Sequence, residues 1–416
     1  MTNACGVDFG TSNSTVGLIR PGHPILLPLE DGKTTLPSVV FFNADDHATT
    51  FGRAALADYL SGYEGRLMRS LKSLLGTSLM DGQTEVQGRA LKYRDLLREF
   101  IVEMKRRAEA AAGQALQRAV LGRPVHFVDD DQDADRLAER TLGDIALDAG
   151  FQDICFQYEP IAAAFDYESR ITREELVLIA DIGGGTSDFS LVRLSPSRVD
   201  RVERREDILA NGGVHIGGTD FDKYLSLASA MPLLGFGTRL ISKAEVPSSY
   251  YFNLSTWHTI NLVYTRKVWR ELEEVCRDAE DRGKLNLLLK LVDQRDGHWL
   301  AMKTEEAKIA LSESEEISMS LDRLDKHLTL PVLRRQFDAA VDHLVEGVAQ
   351  TVRSLLASAG IAADRVDTVF FTGGSSGVRT LRARIAAMFP AAGIVEGDLF
   401  GSIGSGLALD AHRRFG

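Results

Sequence analysis

Cysteine is scarce in this 416-residue chain: Cys5, Cys155 and Cys276 are far apart and odd in number. That excludes a disulfide framework and points to a reducing compartment. Proline is sparse too, with 11 residues against a usual share of ~5%, so no long Pro-rich linker is expected. Basic charge is in deficit. A net charge of −11 argues against nucleic acid or an anionic membrane as the main partner. A few cations in one cleft would still suffice for an anionic ligand. No apolar run reaches the ~20 residues that span a bilayer, and the polar start Met1-Thr2-Asn3 lacks the form of a signal peptide. A cytoplasmic protein is expected, neither secreted nor membrane-spanning. The nine histidines are scattered without ligand spacing, so no structural zinc is indicated.

The rest of the composition, 44% hydrophobic and 26% charged, is ordinary for a globular protein. The length allows two or three domains. Residues 178–192 read Leu-Ile-Ala-Asp-Ile-Gly-Gly-Gly-Thr-Ser-Asp-Phe-Ser-Leu-Val. An apolar strand ends in Asp181, glycines turn, hydroxyls follow, and a second strand returns. A Gly run brings backbone N–H groups close to an anion with no Cβ in the way. An acid at the strand end suits a hydrated divalent cation, so phosphate plus metal is the simplest ligand for such a turn.

Residues 4–19 repeat the pattern with Asp8, Gly10, Thr11, Ser12 and Asn13. Aligned by their hydroxyls, Thr11-Ser12-Asn13 corresponds to Thr186-Ser187-Asp188. Two such hairpins suggest two similar lobes facing one ligand. Helices are expected within 52–76 and over 93–117, 129–149, 261–276, 304–321 and 331–359, the second with Leu96, Leu97, Phe100, Ile101 and Met104 on one face. A strand is expected over 119–128. The acids Asp129 to Asp131 read as a helix cap rather than a metal cluster. The charge run 200–207 reads as a solvated edge. Glu159 ends another strand, with Pro160 opening a helix. His215 to Asp222 is a Gly turn entering a helix, a plausible anion cradle. Residues 231–300 read as a helical subdomain whose three tryptophans belong to its core.

Together these motifs resemble the actin/hexokinase/heat-shock ATPase superfamily and, within it, the DnaK-type heat-shock chaperones. Gly-Val-Asp-Phe-Gly-Thr-Ser-Asn-Ser is similar to the first phosphate motif and Asp-Ile-Gly-Gly-Gly-Thr-Ser-Asp to the second. Residues 122–129 resemble the switch-proline strand, with Pro124. Glu-Pro-Ile-Ala-Ala-Ala (159–164) resembles the connecting motif. His-Ile-Gly-Gly-Thr-Asp-Phe-Asp and Thr-Gly-Gly-Ser-Ser resemble the later Gly turn and the adenosine motif.

The resemblance implies an α/β, actin-like ATPase fold. Two lobes would each carry a ribonuclease-H-like five-stranded mixed sheet, with nucleotide in the inter-lobe cleft. Lobe I would cover 1–172 and lobe II 173–397, with a helical insertion at about 231–300 and a closing helix at 398–416 returning to lobe I. Asp8, Glu159 and Asp181 would hold Mg2+ mostly through water. Gly10, Thr11, Ser12, Asn13, Gly183, Gly184 and Gly185 would cradle the phosphates of ATP or ADP. Lys72, Asp181, Thr186 and Asp188 would be catalytic. Gly217, Gly218, Glu305, Lys308, Ser312, Gly373, Gly374 and Ser375 would complete the nucleotide site.

Two departures bear on the adenine end. Ile309 stands where the family has an arginine stacking on the base, and Gly377 stands where it has another, with Arg379 two residues on. The chain ends at Gly416 without the linker and peptide-binding β domain of a full chaperone. A naturally short relative of YegD type is expected, a cut at the domain edge being the alternative. The expected function is ATP binding and Mg-dependent hydrolysis, with a co-chaperone or exchange factor as partner. The alternatives are a sugar or small-molecule kinase, an actin-like filament protein and a nucleotide-dependent scaffold.

Overall fold

The computed structural model describes residues 3–77, 80, 82–86, 88–128, 131–399 and 401–416. The chain forms two compact units, one of residues 1–213, 351–376 and 386–416, the other of 214–350 and 377–385.

The first unit is built on two mixed sheets. One has the strand order Asp153–Tyr158, Arg118–Arg123, Ala4–Phe9, Asn13–Arg20, His23–Leu26, with Thr35–Pro37 as a sixth strand beside Asn13–Arg20. Ala4–Phe9 is buried along its whole length. A strand covered on both faces reads as a continuous apolar run, as parallel pairing requires, and its parallel neighbour is Arg118–Arg123. The other sheet has the order Ile208–Val214, Ser187–Leu194, Glu175–Ile182, Thr368–Thr372, Gly393–Glu396.

Between these sheets lie the helices Glu159–Glu168 and Ser402–Phe415. Ile161, Ala162, Phe165, Leu407 and Ala411 pack there with Ala4 and Val120 of the first sheet and Val177, Ile179 and Phe370 of the second. Small residues let the closing helix touch backbone. A Cβ on Gly6 would strike Leu407 and Ala408, and one on Gly406 would strike the Ala162 carbonyl. The far side of the first sheet packs on the helices Tyr93–Ala112 and Gln132–Asp148 through Phe100, Met104, Leu142 and Ile145.

The second unit is mostly helical: Gly218–Ala228, Ser249–Leu254, Arg266–Asp278, Arg282–Asp293 and Gly297–Leu311, followed by the hairpin Glu316–Ser320 and Thr329–Leu333. Its core includes Tyr251, Leu254, Ile260, Leu285, Leu288 and Leu300. The three tryptophans sit at its margin, each partly buried.

Several expected elements differ. The helix from Tyr93 ends at Ala112, because Gly113 takes the left-handed conformation (φ 69°) and closes it. The strand expected to run to Val128 stops at Arg123, before Pro124. Within 52–76 the helix is only Gly52–Leu60, followed by the strand Gly65–Arg69 and a short 3-10 turn, Leu71–Leu74. The stretch 304–321 is a helix end and then a strand, and 331–333 belongs to the paired strand, so the long helix is Arg334–Ala359. Helix 261–276 divides into the 3-10 segment Trp257–Tyr264 and the helix Arg266–Asp278, capped by Thr265. Asp131 caps the helix Gln132–Asp148 by accepting from Asp133 and Ala134 N–H. Asp129 and Asp130 lie outside the described residues.

The run 200–207 is exposed, as a solvated edge would be, except at two residues. Arg204 and Asp207 are each only 1% exposed. Arg204 donates to both carboxylate oxygens of buried Glu168, at 2.7 and 2.8 Å, and also to Asp207. A charge can be buried when it is paired and hydrogen-bonded in this way.

Candidate functional site

Both acid–glycine–hydroxyl hairpins lie in the first unit, and their registers match. In the first, Asp8 stands opposite Thr15 across the strand pair. In the second, Asp181 stands opposite Asp188. The spans are equal, so Gly10 corresponds to Gly183 and Thr15 to Asp188. The alignment by hydroxyl triplets is therefore out by two residues. It failed because it matched letters across a turn whose register is set by strand pairing.

The two turns face one another. A Cβ on Gly184 would collide with the Ser12 hydroxyl. Thr372 ends the strand beside Asp181, and the following Gly373 (φ 81°) passes so near that a Cβ would stand 2.5 Å from Asp181 Oδ1. The second turn thus meets the first through Gly184 and Ser12, and Gly373 closes on its acid. Thr186 Oγ1 donates to Asp188 Oδ2 at 2.8 Å, and Gly183 N–H to the Thr186 carbonyl at 2.9 Å, closing the second turn.

The structure adds props that the motifs do not contain. Ser38 N–H donates to Ser12 O at 2.9 Å, Ser38 Oγ to Gly10 O at 2.6 Å, and Ser14 Oγ lies 3.0 Å from Ser38 Oγ. Ser14 and Ser38 are fully buried. Their only trace in the sequence is the strand 35–37, whose pairing with Asn13 to Thr15 brings Ser38 under the turn. Ser376 likewise holds its own turn, donating to the Gly373 carbonyl at 2.7 Å.

Lys72 and Glu159 meet beside these turns. Lys72 Nζ is 2.5 Å from Glu159 Oε1. Glu159 is the first residue of its helix and follows the strand Asp153–Tyr158 directly. Burial, with Glu159 adding to it and Lys72 opposing, pushes the Asp8 carboxyl up to about 7. Burial also pushes Asp181 up to about 8, with Asp188, Glu159 and Asp8 adding and Lys72 opposing. Burial works against the Lys72 charge, yet Glu159, Asp8 and Asp181 outweigh it and hold the ammonium above the ordinary lysine value. Asp8, Lys72, Glu159 and Asp181 therefore form one electrostatic cluster of three carboxyl groups and a single ammonium.

The cluster fits a hydrated divalent cation. Its donors are hard carboxylate oxygens, and the glycines leave open backbone where a Cβ would intrude. Among the described residues, no three His, Cys, Asp or Glu side chains converge as direct ligands of one ion. The fit is to coordination through water, which suits an ion that dehydrates reluctantly.

Gly374 and buried Ser375 follow Gly373 in the first unit, and the other candidate residues lie in the second. Gly217 precedes the helix Gly218–Ala228, and its N–H donates to Asp220 Oδ2 at 3.0 Å. Lys308, 8% exposed, turns its ammonium to Asp222 (2.9 Å) and to the Gly218 carbonyl (3.2 Å), so these three residues are one group. Ser312 caps the helix Gly297–Leu311 at its C-terminus, and a Cβ on Gly377 would stand 3.6 Å from Ser312 Oγ. Glu305 is exposed and Ile309 is 60% exposed. Arg379 lies 3.9 Å from Glu315, which also holds Arg334.

Two mixed sheets bearing paired acid–glycine hairpins define a protein of the actin-like ATPase fold. A family model described as Hsp70 protein matches residues 4–229 and 289–396, and the chain belongs to that family. The unmatched residues 230–288 fall in the helical second unit. The chain is 27% identical over 384 residues to the chaperone protein DnaK of Mycoplasma mycoides subsp. mycoides SC, covering 92% of this chain and 54% of the relative. It therefore spans about half the length of that relative. The members of that family are chaperone-type, nucleotide-binding ATPases, and the relative named here is described as a chaperone protein. Among the described residues no helix is long and apolar enough to cross a membrane.

Proposed function

We propose that the protein binds ATP and hydrolyses it with Mg2+, as a chaperone-type ATPase. The observation that carries this reading is the approach of Gly184 to Ser12, which opposes two phosphate turns in one unit beside an acid cluster containing one lysine. Backbone N–H groups of Gly10, Thr11, Ser12, Asn13, Gly183, Gly184 and Gly185 would receive the phosphates. Hydrogen bonds to charged groups are worth about 1.5–3 kcal/mol each, so several of them fix where the phosphates sit.

Asp8, Glu159 and Asp181 would hold the hydrated Mg2+, which when bound neutralises phosphate oxygen charge. Lys72 would stabilise charge developing on the transferred phosphoryl group and orient the attacking water. Asp188 accepts the Thr186 hydroxyl hydrogen; this leaves the Thr186 oxygen as an acceptor for that water, with Asp188 to receive its proton. Gly217, Gly218, Glu305, Lys308, Ser312, Gly373, Gly374 and Ser375 would serve the nucleoside.

The lobe division at 172/173, with 398–416 returning to lobe I, belongs to the same reading. So does a co-chaperone or exchange factor as partner. A cytoplasmic location is supported by the three unbridged cysteines.

Mg-ATP binding and single-turnover hydrolysis of the wild type, Lys72→Ala and Asp181→Asn test the proposal. The wild type should bind and turn over. Lys72→Ala should bind while losing about 100-fold or more in hydrolysis rate. Asp181→Asn should lose its Mg dependence. Normal hydrolysis by Lys72→Ala would remove the lysine from the mechanism. A wild type that binds no nucleotide at millimolar concentration would end the whole reading.

A further inference from the structure

Lys72 is unusually well fixed for a lysine. It sits on the 3-10 turn Leu71–Leu74, entered through Ser70 in the left-handed conformation (φ 56°) and anchored by fully buried Leu71. Its side chain is 11% exposed and that of Glu159 is 12% exposed. Gly122 also lies against Glu159. A Cβ there would stand 3.2 Å from Glu159 Cγ and 3.4 Å from Oε1. Bare backbone and an ammonium together hold this carboxylate in place. Asp8 and Asp181 also feel the same ammonium.

We propose that Lys72 is the resident counter-ion of the acid cluster and competes with a divalent cation for Glu159. The proposal rests on the nucleotide-binding reading above and adds an order of loading to it. In the ligand-free protein the ammonium supplies the positive charge that a cation would bring, so free cation binds weakly. Phosphate oxygens arriving in the turns offer the ammonium another partner. It then releases Glu159, and the cation enters with the nucleotide rather than before it. Lys72 is thereby a gate on metal uptake as well as a group for the chemistry.

The probe is Mn2+ alone, without nucleotide, titrated at pH 8 and read by electron paramagnetic resonance on the full chain. Lys72→Met should bind Mn2+ about tenfold or more tightly than the wild type. Lys72→Arg keeps the charge and should match the wild type. Adding Glu159→Gln to Lys72→Met should cancel the gain. A folded Lys72→Met, judged by circular dichroism, with unchanged or weaker Mn2+ affinity would overturn the proposal. Should that variant not fold, the wild type decides through lysine acylation followed by mass spectrometry. Saturating Mn2+ should raise the reactivity of Lys72, and unchanged reactivity at saturation is the contrary result. Nucleotide binding is scored separately. Nucleotide bound with no Mn2+ gain defeats the gate alone, and a Mn2+ gain without nucleotide binding defeats the ATPase reading while leaving the competition for Glu159.

Discussion

Gly184 and Ser12 stand so close that a Cβ on the glycine would collide with the serine hydroxyl, and Ser12 Cβ itself lies 3.3 Å from that point. Each residue comes from a different hairpin, so Gly184→Ala has to push the two turns apart. Overpacking of this kind costs about 1–3 kcal/mol. Denaturant unfolding should show that loss, and nucleotide affinity should fall about tenfold or more. Ser12→Gly in the same background should restore most of the stability. Gly185→Ala is the control for stability, because a Cβ there would meet nothing within 4 Å. Equal losses of stability at 184 and 185 would mean that the facing of the turns is not what matters.

The acid cluster predicts how stability depends on pH. Asp8 and Asp181 have carboxyls raised from 3.8 to about 7 and about 8 by burial and neighbouring acids. Between the ordinary carboxylate value and these values, the folded state holds protons that the unfolded chain releases. Stability of the ligand-free protein should therefore fall as pH rises from about 4 to about 8 through these two groups. Asp8→Asn and Asp181→Asn mimic the protonated forms. Both should raise the melting temperature at pH 8, do little at pH 5, and remove Mg-nucleotide function. Thermal scans without nucleotide at the two pH values provide the check. Asn variants that melt below the wild type at pH 8 would contradict the electrostatic account.

What the sequence revealed and what it hid divide by distance along the chain. Asp8, Gly10, Asp181 and the glycines that follow it announce themselves because turn chemistry is local. So does Glu159 before Pro160, which opens a helix by its fixed backbone angle. Register is not local. The residues opposite Asp8 and Asp181 follow from strand pairing, which the hydroxyl triplets misplace by two positions. Burial of charge is hidden in the same way. Arg204 looks solvated among its neighbours, but its partner Glu168 is 36 positions away. The stretch 316–320 follows a charged helical run in the sequence, yet its pairing with 329–333 makes it a strand.

Arg204 also makes a prediction about stability. Its side chain bridges Glu168 and Asp207, all three essentially excluded from solvent, and its guanidinium lies 5.6 Å from the Phe165 ring centroid. Arg204→Ala would leave buried Glu168 without its paired cation, while Asp207 keeps only Arg198. Breaking a buried pair from one side costs about 3–5 kcal/mol. Denaturant melts should show a loss of that order, reduced when Glu168→Gln is added. The neighbouring Arg205 is exposed and lies over the Tyr158 ring at 5.4 Å. Arg205→Ala should cost less than about 1 kcal/mol. Equal costs for the two would mean that the charge run is as indifferent as it looks in the sequence.

In the proposed nucleotide site, Ile309 is the residue that would set how tightly the base is held. It lies in the last turn of the helix Gly297–Leu311 with 60% of its surface exposed, while the adjacent Lys308 points inward to Asp222 and Gly218. An apolar side chain there offers a base contact without charge. Ile309→Arg would place a guanidinium on that exposed face, where a cation–π contact is worth about 0.5–2 kcal/mol. ATP affinity should then rise by roughly two- to thirtyfold. Inorganic tripolyphosphate separates the causes, because it carries the charge of the nucleotide and no ring. Its affinity should stay within about twofold of the wild type, since screening weakens a distant exposed charge. Calorimetry with both ligands gives the answer. A gain shared equally by tripolyphosphate would assign the effect to net charge, and no gain for ATP would remove position 309 from the base site.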